Sequence, residues 1–400
     1  MSKLSDTFYL KRAGTYSGPL NSNALLPVVY GDVEDGISGN WVCPCLNATD
    51  WVYAYAGHEV LSVANGNTIV IYEDGLVMTE GIDYTFDELN DYEGHGNIAI
   101  IDMANPKLNA VITATGSGKP TTTGGATLME NIIDIVDDFL TVENDFTSSL
   151  YEATAKAMAA HVFDGQSYKA AGIINQDTVI WTIITKMMGS FLGSCYINGE
   201  GELVLDIDIN TVPLGPADII MKGDAYLSDA KIKRDNIINQ VPCNYAYDYV
   251  TGEFRSHTDA SAHVDAISQD VFGVRTPATP YQCYWCRDLT SVQTVQDYIV
   301  AKLKDPIYEV EITGVTQKQL GVDIGDHFVH YVDSLYDSEG MPLLNNYFKT
   351  ISVRPDYAKN KIVFRALSTP FYMTIAYLAD GSHLADGSIK AGGNRDTTIY

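Results

Sequence analysis

Between Leu26 and Gly116 the chain is a succession of short apolar runs separated by turn residues, and nothing else in the sequence restricts its fold so tightly. LLPVVYGD, WVYAYAG, HEVLSVAN, TIVIYEDGLVM, IAIIDM and NAVITATG follow one another at strand length. Runs of four to eight β-branched and aromatic residues between turn signals are too short for buried helices and suit strands. Glu73-Asp74-Gly75 sits between two such runs and predicts a tight hairpin, because an Asp-Gly pair tolerates the positive φ of its turn. Residues 26–116 are therefore expected to form a small β-rich domain, preceded by an extended N-terminal arm (1–25). The Gly-, Pro- and Thr-rich GSGKPTTTGG closes it. That composition predicts a linker over 117–126.

The periodicity then changes. In TLMENIIDIVDDFL the residues Leu128, Ile132, Ile135, Val136 and Phe139 recur at helical spacing. SSLYEATAKAMAAHVF predicts a second helix with a stripe of Leu150, Ala153, Ala157, Met158 and His161. A third starts near Asp177, an N-cap residue type, and carries Val179, Ile180, Ile183, Ile184, Met187 and Phe191. NGEG then joins two strands within CYINGEGELVLDIDI, which completes a helical segment with a hairpin over 127–214. Residues 215–370 read as a second β-rich domain with one helix, near Thr290 to Lys304, stopped by Pro306. Its strands include IYEVEITG, DHFVHYV and the pair YFKTISV and KIVFRAL. Residues 371–400 carry LADG twice and read as a docking tail. The expected class is mainly β with inserted helices (α+β), in several domains.

Charge narrows the partners. The chain holds 25 Lys+Arg against 51 Asp+Glu, a net charge of −26. Specific binding of nucleic acid needs clustered cations to neutralise phosphates, and this balance opposes it. The N-terminal MSKLSDTFYLKRAG lacks the apolar core of a signal peptide. A chain kept in the cytosol holds its six cysteines reduced. The 26 tyrosines suit extensive interfaces, where a ring is buried and its hydroxyl finds a partner.

Each catalytic pattern fails on a specific residue. TATGSGKP has Thr113 where a phosphate-binding loop needs Gly, and Pro120 where it needs Ser or Thr. His327 and His330 lie in an alternating, strand-like run, where residues three apart point to opposite faces and cannot share a metal. His257, Asp259, His263 and Asp265 lack the ligand order and glycine of a calcium loop, and read as a solvated loop. No G-x-S-x-G elbow occurs, so no enzyme is expected.

Cysteine spacing leaves alternatives open. Cys43 and Cys45 flank Pro44, and an extended i, i+2 pair sends both thiols to one face. Cys283 and Cys286 form a C-x-x-C inside Tyr-Gln-Cys-Tyr-Trp-Cys, after the loop-like TPATPY rather than at a helix start. The four could converge on zinc or an iron–sulfur cluster as a clamp between domains, form disulfide or redox pairs, or pack as buried thiols. Cys195 and Cys243 read as packing residues.

Several stretches together resemble the tail-tip or baseplate central hub proteins of long-tailed bacteriophages and phage-like particles. They are LPVVYGD (26–32), GATLMENIIDIVDDFLT (125–141), SFLGSCYINGEGELVL (190–205), DNIINQVPCNYAYDY (235–249), DVFGVR (270–275) and LGVDIGDHF (320–328), in that order. The resemblance implies β-barrel domains related to the tail-tube fold and a homotrimeric ring that continues and closes the tail tube. It implies a structural role in the virion tail, assembled in the host cytoplasm. Expected neighbours are distal tail and tail-tube proteins, the tape-measure protein and fibre or spike proteins, with DNA passing through the lumen without specific binding. An iron–sulfur cluster occurs in some such tail-tip proteins. The tail repeat, Leu378, Asp380, Gly381, Leu384, Asp386 and Gly387, is expected to dock a fibre or spike. The rival expectations are a receptor- or glycan-binding tail protein, stacking sugars on surface aromatics such as Trp51 and Trp285, and a tail-associated hydrolase.

Overall fold

The structure, a computed structural model, describes residues 26–34, 38–47, 49–92, 97–105, 110–175, 178–207, 218–220, 225–233, 235–315, 322, 324–330 and 346–368. The N-terminal arm and the LADG repeat lie outside the described residues. The fold is mainly β with inserted helices, as the sequence predicts, and divides into two compact units. The first takes residues 1–209 and 238–301, the second 210–237 and 302–400. This division does not follow chain order, and the stretch after 238 is the reason.

In the first unit the short runs become strands as expected. Ile112–Ser117 is the organiser, pairing antiparallel with Val70–Glu73, Trp41–Val42 and Asp32–Val33. A second sheet runs in the order Cys45–Asn47, Val52–Ala56, Asn97–Met103, Tyr84–Asp91. Asp74 and Gly75, at φ 49° and 82°, form the hairpin between Val70–Glu73 and Leu76–Val77. Positive φ at both positions is the hairpin geometry that Asp-Gly favours. Trp41, Tyr55, Ile71, Ile101 and Ile112 fill the core, and the Trp41 and Tyr55 rings meet edge-on at 5.0 Å. HEVLSVAN is the exception: it holds a 3-10 turn at Val63–Asn65 and no strand.

The first residues of the expected linker, up to Pro120, are packed structure, while residues 121–126 are mostly exposed. Gly116 and Ser117 belong to the organising strand, and Gly118 lies so close to Val29 that a Cβ there would stand 2.2 Å from its carbonyl oxygen. Lys119 then pairs with Asp138 at 2.6 Å and Glu143 at 3.1 Å. Glycine here permits close approach of backbones rather than flexibility.

Helix α1 (Ile132–Thr141) buries Ile132, Ile133, Ile135, Val136, Phe139 and Leu140, with Asn131 capping Ile133 N–H at 2.9 Å. Each such side chain contributes about 1.5–3 kcal/mol when fully buried. Helix α2 (Ala153–Gly165) corrects the predicted stripe. Its buried residues are Ala159 and Phe163, while Ala157, Met158, His161 and Leu150 are exposed. Alanine carries too little apolar weight to mark a face, and Phe163, packed on Phe191 at 4.9 Å, decides which side turns inward. Helix α3 (Ile180–Gly189) buries the predicted Ile180, Ile183, Ile184 and Met187, and the predicted cap Asp177 lies outside the described residues. The Asn198–Gly201 turn joins Gly193–Ile197 to Leu203–Ile207 as expected.

Residues 238–301 return to this unit. They form a three-stranded sheet (Glu253–His257, Cys243–Asp248, Tyr281–Gln282), helix α4 (Ala266–Phe272) and all but the last two residues of α5 (Leu289–Leu303). The loop expected around His257–Asp265 is largely exposed, as a solvated loop should be, and side-chain caps order it locally. Asp259 accepts from Ser261 N–H, Asp265 caps α4 at Ser268 N–H, and His263 pairs with Asp297.

The second unit is a six-stranded sheet ordered Asp218–Ile220, His327–His330, Asn346–Asp356, Lys361–Ser368, Ile307–Val315, Ala225–Lys233. Only the first pair is parallel. Ile362, Phe364 and Ala366 alternate inward and meet Val310, Ile312, Phe328 and Phe348. Buried Glu309 is held between Lys233 and Arg365. The expected barrels are absent among the described residues: the two terminal strands of this sheet do not pair with each other, and no other sheet closes.

Candidate functional site

The C-x-x-C loop turns out to be a mount for the two aromatics it encloses. Cys286 N–H reaches back to the Cys283 carbonyl at 3.4 Å, so Cys283-Tyr284-Trp285-Cys286 is a β-turn with the aromatics at its corners. Both cysteines are wholly buried. Cys283 N–H donates to the Asn244 carbonyl at 2.9 Å, and Ala246 N–H to the Cys286 carbonyl at 3.0 Å. Ala246 does so at φ 56°, a left-handed conformation that costs a non-glycine residue about 1–2 kcal/mol and is held by this packing.

Trp285 faces inward, which corrects its assignment as a surface aromatic: it is 3% exposed. Its backbone N–H donates to Ser190 Oγ at 3.0 Å, and its backbone carbonyl accepts from Ala171 N–H at 2.9 Å. The ring lies over Gly172, where a Cβ would sit 2.7 Å from Cε3. Trp51 is half-buried and packs on the core.

Tyr284 faces the other way. Its ring centroid lies 5.1 Å from Tyr247 and 5.0 Å from Phe254, and Tyr247 meets Tyr249 edge-on at 5.1 Å. Lys186, exposed on α3, holds its Nζ 4.8 Å above the Tyr284 ring. Together with the strand Gly172–Ile174 and the turn at Val250–Gly252, these rings bound a cleft of about 350 Å³. Asn175, Thr178 and Thr251 add polar groups at its wall. The turn is set by Asp248, which accepts from Val250 N–H at 2.8 Å and Thr251 N–H at 3.3 Å. Burial works to raise the Asp248 carboxyl, but Arg255 and these amides outweigh it and hold it below its ordinary range.

Of the alternatives for the four paired cysteines, convergence into one clamp is not what the structure holds. Cys43 and Cys45 lie in the N-terminal core, with Cys45 bonded to Tyr53. The thiol beside Cys283 is that of Cys243, and the hydrogen bond between them lowers Cys243 while raising Cys283. Among the described residues no group of three or more His, Cys, Asp or Glu side chains is arranged to hold a metal ion. All six thiols are free. Cys243 stands alone in the sequence and so carried no motif, but strand pairing of Cys243 with Tyr281, across 38 positions, brings it to the C-x-x-C. Tyr247, Tyr249 and Lys186, which build the cleft, were not singled out by the sequence, and the density of Tyr in NYAYDY is the one signal that pointed there.

No family model and no curated protein sequence matches the chain. Among solved structures, a tail protein from Neisseria meningitidis MC58 is similar over 76% of this chain and 97% of its own, at 10% identity and a TM-score of 0.33. No helix among the described residues is long and apolar enough to cross a membrane.

Proposed function

We propose that this chain is a structural subunit of a phage or phage-like tail, placed in the tail-tip or baseplate hub ring that continues and closes the tube. The observation that carries this reading is the order of motifs from Leu26 to Phe328, which is the order in which tail-tip hub proteins carry theirs. Two physical features support it. The six-stranded sheet ends in strands paired on one side only among the described residues, and such edges allow a sheet to continue into a neighbouring subunit. The net charge of −26 suits a lumen through which DNA slides, since like charge removes the counterion-release gain that would hold it.

In this reading the chain forms a homotrimer, meets the tail tube and tape-measure protein on one side and fibre or spike proteins on the other, and works without catalysis. The LADG tail, Leu378–Gly387, is the fibre-docking segment. Native mass measurement of the purified chain, joined to immunogold labelling of intact particles, tests it. A trimer and label at the tail tip are expected. A monomer at every concentration tried, with no label on particles, overturns it.

A further inference from the structure

We propose that the cleft between Tyr247, Tyr284 and Lys186 is a binding site for an acidic saccharide, a pyranose bearing a carboxylate. Half-buried Tyr247, Tyr249 and Tyr284 line the cleft with apolar ring surface, against which the C–H groups of a sugar pack without needing a hydrogen bond. Around them Asn175, Thr178 and Thr251 provide the amide and hydroxyl groups that ring hydroxyls require. A volume of about 350 Å³ falls within the range of small-ligand clefts.

The charge of the ligand follows from Lys186. It is the one charged side chain among the described residues of the cleft wall, in a chain whose carboxylates outnumber its cations by 51 to 25. The nearest acid in the turn, Asp248, is already matched by Arg255 at 2.8 Å. Among the described residues of this wall Lys186 meets only the π face of Tyr284, an attraction a carboxylate at the ammonium does not disrupt. The acidic surface as a whole repels such a ligand, but at physiological salt that field is screened beyond about 8 Å. Contact with Lys186 is shorter than this, so the local cation decides.

The site is built independently of any ring. Trp285 and Gly172 fix its floor and α3 fixes Lys186, all within the first unit. It therefore stands or falls separately from the tail reading: a chain that binds sugar but is missing from particles retains one conclusion and loses the other.

Calorimetry on the full chain tests it with N-acetylneuraminic acid and a glucuronic-acid disaccharide, against their neutral counterparts. Saturable binding of at least one acidic sugar is expected, with neutral sugars about tenfold weaker. Lys186→Gln, at an exposed position, is expected to remove that preference, so that acidic and neutral sugars bind it alike within about twofold. No saturable binding of either acid up to about 10 mM, equal binding of acidic and neutral sugars, or an unchanged Lys186→Gln variant each overturns the proposal.

Discussion

Arg287 donates from Nη2 to the side-chain oxygen of Asn40 at 3.0 Å, closing 247 positions of sequence. Its Nη1 donates to the Tyr247 carbonyl at 2.9 Å. Asn40 is wholly buried and is a junction: its side chain donates to the Val33 carbonyl at 2.9 Å, and its carbonyl accepts Tyr249 N–H at 3.1 Å. Arg255 reinforces the seam by reaching the Gly39 carbonyl at 2.9 Å. These bonds fasten the returning segment 238–301 to the first strands of the chain.

Removing either partner of that contact leaves the other, buried Asn40 or half-buried Arg287, with less to bond. Arg287→Ala and Asn40→Ala are each expected to destabilise the first unit by about 2 kcal/mol. Because both act on one contact, the double variant should lose less than the sum, by about 1 kcal/mol. Urea titration followed by tryptophan fluorescence gives all three values. Strict additivity would mean that the two residues stabilise the fold separately.

What the sequence made legible and what it hid divide along a physical line. Local geometry was readable: Asp74-Gly75 required its hairpin, and Ile180, Ile183, Ile184 and Met187 marked the buried face of α3. Long-range assignment was not. Nothing in the local texture of 238–301 says that it packs on residues 28–47 rather than on the strands that follow it, since that choice is made by side chains such as Arg287 and Asn40. The start of the expected linker, Gly116 to Pro120, misled for the same reason, because glycine composition reads alike in a flexible linker and in a tightly packed crossing. For the cysteines, the pattern of two close pairs pointed to Cys43 and Cys45, whereas strand pairing supplied the single Cys243.

That thiol arrangement predicts an order of reactivity. Cys195 is half-buried, and burial raises it to about 11. Cys43, Cys283 and Cys286 are far more deeply buried, and burial raises Cys43 and Cys286. Cys283 is raised first by its bond to Cys243 and then by burial. Thiolate and access are both needed for alkylation. Timed iodoacetamide labelling of the native chain at pH 8, read by mass spectrometry, should modify Cys195 first and the C-x-x-C pair only as the unit opens. In urea all six should react alike. Labelling of Cys286 as fast as Cys195 in the native chain would mean that the turn does not hold its thiols inside.

Asp32 carries a pH dependence of definite sign. It sits opposite Ser117 in the organising sheet, with Oδ1 buried and without a hydrogen-bond partner among the described residues. Burial first, then Glu34 and Glu130, raise its carboxyl to about 6, against the smaller opposing pull of Lys169 and Arg287. The folded chain thus holds this proton more tightly than the unfolded chain, whose ordinary value is 3.8. Between those values the unfolded state releases its proton first, so stability falls as pH rises through the window and stays reduced above about 6. Partial exposure of the side chain screens the effect to about 1 kcal/mol. Asp32→Asn removes the charge, so its melting temperature relative to the unaltered chain should be higher at pH 7.5 than at pH 4.5. Scanning calorimetry at the two pH values reads that difference, and an equal offset at both would show that Asp32 ionises in the folded chain as it does in water.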